Sequence, residues 1–115
     1  MRQASILLVE DEALIRMMLA EMVEELGHRV IAEAGSVVQG RSLAEIEEYD
    51  LAILDINLQG VNVRPVAEVI AARGLPFIFL SGYGSAGVPD GFMERPVLSK
   101  PCTPDELKRT IDAVL

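Results

Sequence analysis

Glu10, Asp11, Asp55, Ser81 and Lys100 each stand at or just past the end of a short run of buried-type residues. Ile6-Leu7-Leu8-Val9 leads into Glu10-Asp11, Leu51-Ala52-Ile53-Leu54 into Asp55, Pro76-Phe77-Ile78-Phe79-Leu80 into Ser81, and Val97-Leu98-Ser99 into Lys100. If those runs are strands of one parallel sheet, the five polar groups gather at its carboxyl edge, where open α/β sheets bind ligands. Three carboxylates, a hydroxyl and an ammonium in one crevice make poor packing and a good site for a cation and a phosphoryl group. A carboxylate such as Asp55 can attack phosphorus and become an acyl phosphate. Repulsion between that carboxylate and a charged donor must be offset by positive charge. Mg²⁺ suits the task, because it takes oxygen ligands from one or two carboxylates together with phosphate oxygens and water. Asp11 and Asp55 suit direct ligation, and Glu10 suits contact through a water. Lys100 would offset charge on the phosphoryl oxygens, and Ser81 would donate a hydrogen bond to one of them. Catalysis of this kind is positioning plus electrostatics. On that view Lys100→Ala should leave folding nearly intact.

Each residue also has a plainer use. Asp11 could cap a helix, where carboxylates are favoured. Asp55 could start a turn, Ser81 before Gly82 could be turn chemistry, and Lys100 could be a solvated surface lysine. It is their joint placement that argues for a site. His28, after Gly27, reads as a solvated turn residue.

The elements that must position these groups alternate along the chain. Leu14, Ile15, Met18, Leu19, Met22, Val23 and Leu26 recur at helical spacing, with Glu21, Glu24 and Glu25 on the other face and Gly27 as the stop. Residues 29–34 read as a strand. Ser36 with Gln39 predicts a capped helix running to about Glu48. After the strand at 51–54, a loop through Gly60 leads to a helix with Pro65 in its first turn, ending before Gly74. Strands follow at 77–80 and 97–99. Thr103, Pro104 and Glu106 then open a last helix with Leu107, Ile111 and Val114 as its buried stripe. Short apolar strands joined by helices imply a doubly wound parallel sheet. One crossover is irregular: between Ser81 and Pro96 stand Gly82, Gly84, Gly87, Pro89 and Gly91. That is a poor helix sequence, so the fourth helix is expected to be short, absent or mobile. Val88, Phe92 and Met93 are the anchors in or beside it.

Composition narrows the classes. The 115 residues are half hydrophobic and 24% charged, an ordinary globular balance for one domain. A net charge of −8 argues against a nucleic-acid or anionic-membrane face. The apolar runs are too short to span a bilayer, and Met1-Arg2-Gln3 leads into a strand and not into a signal sequence. The single Cys102 cannot form an internal disulfide, which points to a reducing cytoplasm.

Taken together, these residues resemble the receiver domain of two-component response regulators over essentially the whole length. The acidic pair Glu10-Asp11, the later Asp55, Ser81 and Lys100-Pro101 fall in the family's order. The stretch from Pro76 to Gly84 further resembles the "FAT GUY" subgroup of receivers, often single-domain proteins, with Leu80-Ser81 in place of its usual Ala-Thr. The resemblance implies a flavodoxin-like five-stranded parallel sheet in the order 2-1-3-4-5. It implies that Asp55 is the phosphoacceptor and that Mg²⁺ is held by Glu10, Asp11, Asp55 and the backbone carbonyl of Asn57. Ser81 and Lys100 would bind the phosphoryl group, with Tyr83 and Pro101 modulating, and the Lys100-Pro101 bond is expected to be cis. A sensor histidine kinase or a histidine phosphotransfer protein would be the donor, with a protein target downstream and neither nucleic acid nor membrane as partner. Residues 1–115 would form one receiver domain, cytoplasmic and not a stand-alone enzyme. It would be either a complete single-domain protein or a receiver cut from a longer one. Cys102, where many receivers carry a large apolar residue, reads as a small buried filler. Val97 departs from the family, which usually has Tyr or Phe there, so the familiar swing of an aromatic ring is not available. Two rival readings are a Toprim-type metal-dependent enzyme, weakened because Asp55-Ile56-Asn57 lacks a second Asp, and an interaction module that keeps the fold without being phosphorylated.

Overall fold

Parallel strands covered on both faces read as unbroken apolar runs, and two strands here are buried at every position: β3 (Leu51–Asp55) and β6 (Phe77–Ser81). The structure is a computed structural model and describes residues 3–115. Along the chain, β1 (Ser5–Val9) is followed by α1 (Ala13–Glu25), β2 (Arg29–Ala34), α2 (Val37–Ile46) and β3. A short hairpin, β4 (Asn57–Leu58) and β5 (Val61–Asn62), precedes α3 (Arg64–Ala72), β6 (Phe77–Ser81), β7 (Val97–Ser99) and α4 (Pro104–Val114). The main sheet is parallel with order β2-β1-β3-β6-β7. Counting only its own strands, this is the expected 2-1-3-4-5.

The sheet separates two cores. Leu7, Val9, Leu54, Phe77 and Phe79 pack with Ala44, Val66 and Ile70 of α2 and α3. Ile6, Leu8, Ile53, Ile78 and Leu80 pack with Leu19 and Val23 of α1 and with Leu107 and Ile111 of α4. Alternate residues of each strand thus feed opposite faces, and every central strand must end at the same edge.

Helix ends follow their local chemistry. Ser36 Oγ accepts from the Gln39 N–H at 3.2 Å, while Gln39 Oε1 reaches back to the Gly35 N–H and not to that of Ser36. The α2 helix ends at Ile46, two residues short of the expected limit. Thr103 and Glu106 form both bonds of a capping box at α4. Two features differ from the sequence reading. His28 is only 6% exposed: Gly27 at φ 91 turns the chain inward, and His28 Nδ1 accepts the Ala4 N–H at 3.0 Å. It therefore fastens the α1–β2 turn to the start of β1. The loop after β3 is also more ordered than expected, with Asn57 pairing Asn62 and Leu58 pairing Val61 across the two-residue turn Gln59-Gly60.

No helix forms between β6 and β7 among the described residues; the segment runs as successive turns. It is anchored by Val88, 9% exposed, and by Phe92, which meets the Phe77 ring edge-on at 5.5 Å. Arg95 lies over the Phe77 ring at 4.3 Å. Met93 is 63% exposed and is not an anchor. No helix among the described residues is long and apolar enough to cross a membrane.

Candidate functional site

Strand register delivers four of the five residues together, and Asp11 follows directly on Glu10. Val9 pairs with Leu54, Asp55 with Leu80, and Ser81 with Ser99, so Glu10, Asp55, Ser81 and Lys100 leave the sheet at one level. Carboxylate oxygens of Glu10, Asp11 and Asp55 come within 4.8 Å of one another. Lys100 Nζ donates to Glu10 Oε1 and to Asp55 Oδ2, both at 3.1 Å. Asn57 N–H approaches Asp55 Oδ1 at 3.3 Å. Ser81 Oγ accepts the Tyr83 N–H at 3.0 Å. The Lys100–Pro101 bond is cis. Asp11, Asp55, Asn57, Ser81, Tyr83 and Lys100 line one open depression; Glu10 lies behind it, with no exposed surface.

The plainer use of Asp11 is removed. Glu12 occupies the N-cap of α1 without a side-chain bond, and Asp11 Oδ2 instead accepts the Gln59 N–H at 3.1 Å. Glu10 is held by the protein on both of its carboxylate oxygens. Its Oε2 accepts the Glu12 N–H at 3.0 Å and its Oε1 faces Lys100. It serves as an inner anchor for the lysine.

The electrostatics reflect burial of charged groups first and their contacts with one another second. Burial lifts Glu10 from 4.5 to about 7, against the pull of the Glu12 N–H and Lys100 and with Asp11 and Asp55 adding to the rise. Burial likewise raises Asp55, opposed by Lys100 and the Asn57 N–H. For Asp11, burial also works upward, but hydrogen bonds with Glu10, Asp55 and the Gln59 N–H outweigh it and leave the carboxyl below its ordinary value. Lys100 is raised: burial works to lower it, and its two carboxylate partners prevail. A cluster of hard oxygen donors carrying excess negative charge fits a small divalent cation. Cys102 is half-buried, and burial pushes its thiol up, helped by Glu106; it lies against the α1–α4 core as a filler.

Some participants were missed in the sequence. Gln59 at φ 55 and Gly60 at φ 84 form a left-handed turn. The Gly in a two-residue connection between Leu58 and Val61 was the available signal. Arg16 Nη1 donates to the Glu10 carbonyl at 2.7 Å and Nε pairs with Glu33 at 3.2 Å, fixing the backbone under the acidic pair. Nothing in the spacing of Arg16 announced this.

A family model for the response regulator receiver domain matches residues 6–112. The transcriptional regulatory protein PdtaR of Mycobacterium tuberculosis is 37% identical over 68% of this chain, and the match spans 38% of that protein's length. Protein PilH of Pseudomonas aeruginosa is 31% identical over 97% of this chain and 98% of its own. Among solved structures, SdrG from Sphingomonas melonis Fr1 superposes with a TM-score of 0.86 at 40% identity, covering 97% of this chain and 96% of that one. A structure of SdrG in its BeF3-activated conformation superposes with a TM-score of 0.82 at 41% identity, covering 96% of this chain and 95% of that one. The Toprim-type reading is thereby set aside: the chain belongs to the response-regulator receiver domains.

Proposed function

We propose that this chain, residues 1–115 acting as one domain, is a phosphoacceptor in histidine-to-aspartate signalling, with Asp55 as the group that is phosphorylated. The supporting observation is the ammonium of Lys100 seated 3.1 Å from both Glu10 and Asp55, beside Ser81 at the end of the neighbouring strand. In the transfer, an Asp55 oxygen forms a new P–O bond as the P–N bond of a phosphohistidine breaks, and the imidazole leaves with the electron pair. With acetyl phosphate, the bond that breaks is P–O and acetate leaves. Lys100 then has phosphoryl oxygens to neutralise, and Ser81 Oγ turns its proton toward one of them. Tyr83, 84% exposed at the rim, would respond to that change at Ser81, and Pro101 sets the exit of the chain past Lys100.

The carboxylates of Glu10, Asp11 and Asp55 fit Mg²⁺ by donor type and proximity. Asp11, Asp55 and the Asn57 carbonyl would hold it, with Glu10 behind them; the cation would offset charge as the phosphoryl group arrives. The donor would be a sensor histidine kinase or a histidine phosphotransfer protein in the cytoplasm, and output would pass to a protein partner. The decisive experiment is incubation with acetyl phosphate and Mg²⁺ followed by intact-mass measurement. One added phosphoryl group, absent in Asp55→Asn, is the expected result. No addition to the wild type would favour a receiver-like interaction module that is not phosphorylated.

A further inference from the structure

Asp55 lies at the floor of its depression and is only 3% exposed. One wall above it is the β4–β5 hairpin; the other is the glycine-rich segment from Gly82 to Gly87. A single side chain bridges the two. Asn62 Nδ2 donates to the Gly87 carbonyl at 2.9 Å, while its Oδ1 accepts the Arg64 N–H at 2.9 Å at the start of α3. Two residues on, Arg64 Nη1 donates to the Asp90 carbonyl at 2.9 Å. Gly87, at φ 87, is seated so closely that a Cβ there would meet Ile56 Cγ2 at 3.3 Å, one residue past Asp55. The segment carries few apolar anchors of its own before Val88, so these bonds from the hairpin and α3 decide where it lies.

We propose that Asn62 is a strap across the mouth of the site: its amide holds the glycine-rich segment down beside Asp55, and a phosphoryl donor reaches the carboxylate when that strap opens. The inference rests on the phosphoacceptor reading of Asp55. A neutral hydrogen bond facing water biases an equilibrium by only a few-fold to about tenfold, so the open form is a minority that exists without disturbing the fold. Access is then set by the fraction of open molecules, and apparent affinity for anything that enters falls by that fraction.

The test uses Asn62→Ser, whose hydroxyl can still accept from the Arg64 N–H but is too short to reach Gly87, and Arg64→Gln, which cuts the second tie independently. Amide hydrogen exchange over residues 84–91 and the apparent Kd for beryllofluoride, supplied with Mg²⁺ as phosphoryl mimic, are measured in each, with thermal melting as a check on folding. Exchange in Asn62→Ser should speed up on the order of two- to tenfold, the range one hydrogen bond represents. The beryllofluoride Kd should fall by the same factor, with a smaller change of the same sign in Arg64→Gln. Unchanged exchange, or faster exchange with an unchanged or higher Kd, would overturn the strap while leaving Asp55 as the acceptor. If the wild type bound no beryllofluoride at all, the phosphoacceptor reading would fall and the strap with it.

Discussion

An ammonium group 3.1 Å from two buried carboxylates is a counter-ion before it is anything else. The sequence argued that Lys100 works only on the phosphoryl group and that its removal should spare folding. The structure changes that expectation, because Glu10 is wholly buried and Asp55 nearly so. Removing one partner of a buried pair costs about 3–5 kcal/mol when the remaining charge cannot be neutralised. Here Glu10, already lifted to about 7 by burial, can take up a proton instead. We therefore expect Lys100→Met to lose about 1–3 kcal/mol, more at pH 8 than at pH 5, in urea titrations without metal. Equal losses at both pH values would refute the counter-ion role. A related outcome concerns the metal-free wild type. Glu10 and Asp55 have folded-state values above their ordinary ones, so the folded form binds protons more tightly than the unfolded chain. Their contribution is complete below about 4.5 and is lost as pH rises toward 7. Asp11, lowered in the fold, acts oppositely, with stability lost only as pH falls below the usual carboxylate range. Melting in EDTA should thus decline between pH 4.5 and 7, and a rise across that window would contradict the assignment. At this scale residue types and their order revealed the five groups, because each closes an apolar run. Partnerships were hidden: that both Glu10 oxygens face protein groups, or that the Gln59 N–H holds Asp11, follows from backbone course and not from residue type.

Elements whose ends carry their own chemistry were readable; those decided by packing were not. Both residues of the Thr103–Glu106 box lie in the chain, and the structure forms both bonds. The three central strands, β1, β3 and β6, were legible because burial on two faces leaves no alternation to misread. The two-residue strands of the hairpin were lost because Asn57 to Asn62 carries little apolar pattern, and its turn depends on Gln59 adopting a positive φ. Burial of His28 was missed because a turn after glycine reads as solvent-facing. Gly40 shows packing overruling propensity. It sits inside α2, where glycine costs about 1 kcal/mol relative to alanine. Yet a Cβ would meet Val9 Cγ1 at 3.1 Å and Val66 Cγ2 at 3.3 Å. Both valines are fully buried and stiff about χ1, so they yield poorly. Gly40→Ala should lower stability by about 1 kcal/mol despite its better helix propensity, since overpacking a filled core costs about 1–3 kcal/mol. A gain in chemical-denaturation stability would show that α2 can withdraw from the sheet.

At the scale of the molecule, one edge of the sheet concentrates negative charge that the rest of the fold must hold in place. Three carboxylates stand within 4.8 Å of one another, with Lys100 as the cation paired to two of them, on a chain whose net charge is already −8. An apolar core on each side of the sheet fixes the strand ends, so the carboxylates cannot separate to relieve the repulsion. Strain of this kind is relieved by anything that brings positive charge to the folded form alone. A cation bound only by the native state stabilises it by RT ln(1 + [L]/Kd), about 1.4 kcal/mol at ten times Kd. For a domain of this size that is a rise of about 4–8 °C in melting temperature. Mg²⁺ should therefore raise the melting temperature progressively, and Asp11→Ala should remove most of the response while leaving Lys100 its two partners. The comparison must be made at fixed ionic strength, with Na⁺ replacing Mg²⁺, because general screening of a −8 chain also stabilises it. A Mg²⁺ response that survives in Asp11→Ala would mean that the cation acts on the overall charge and not at this edge.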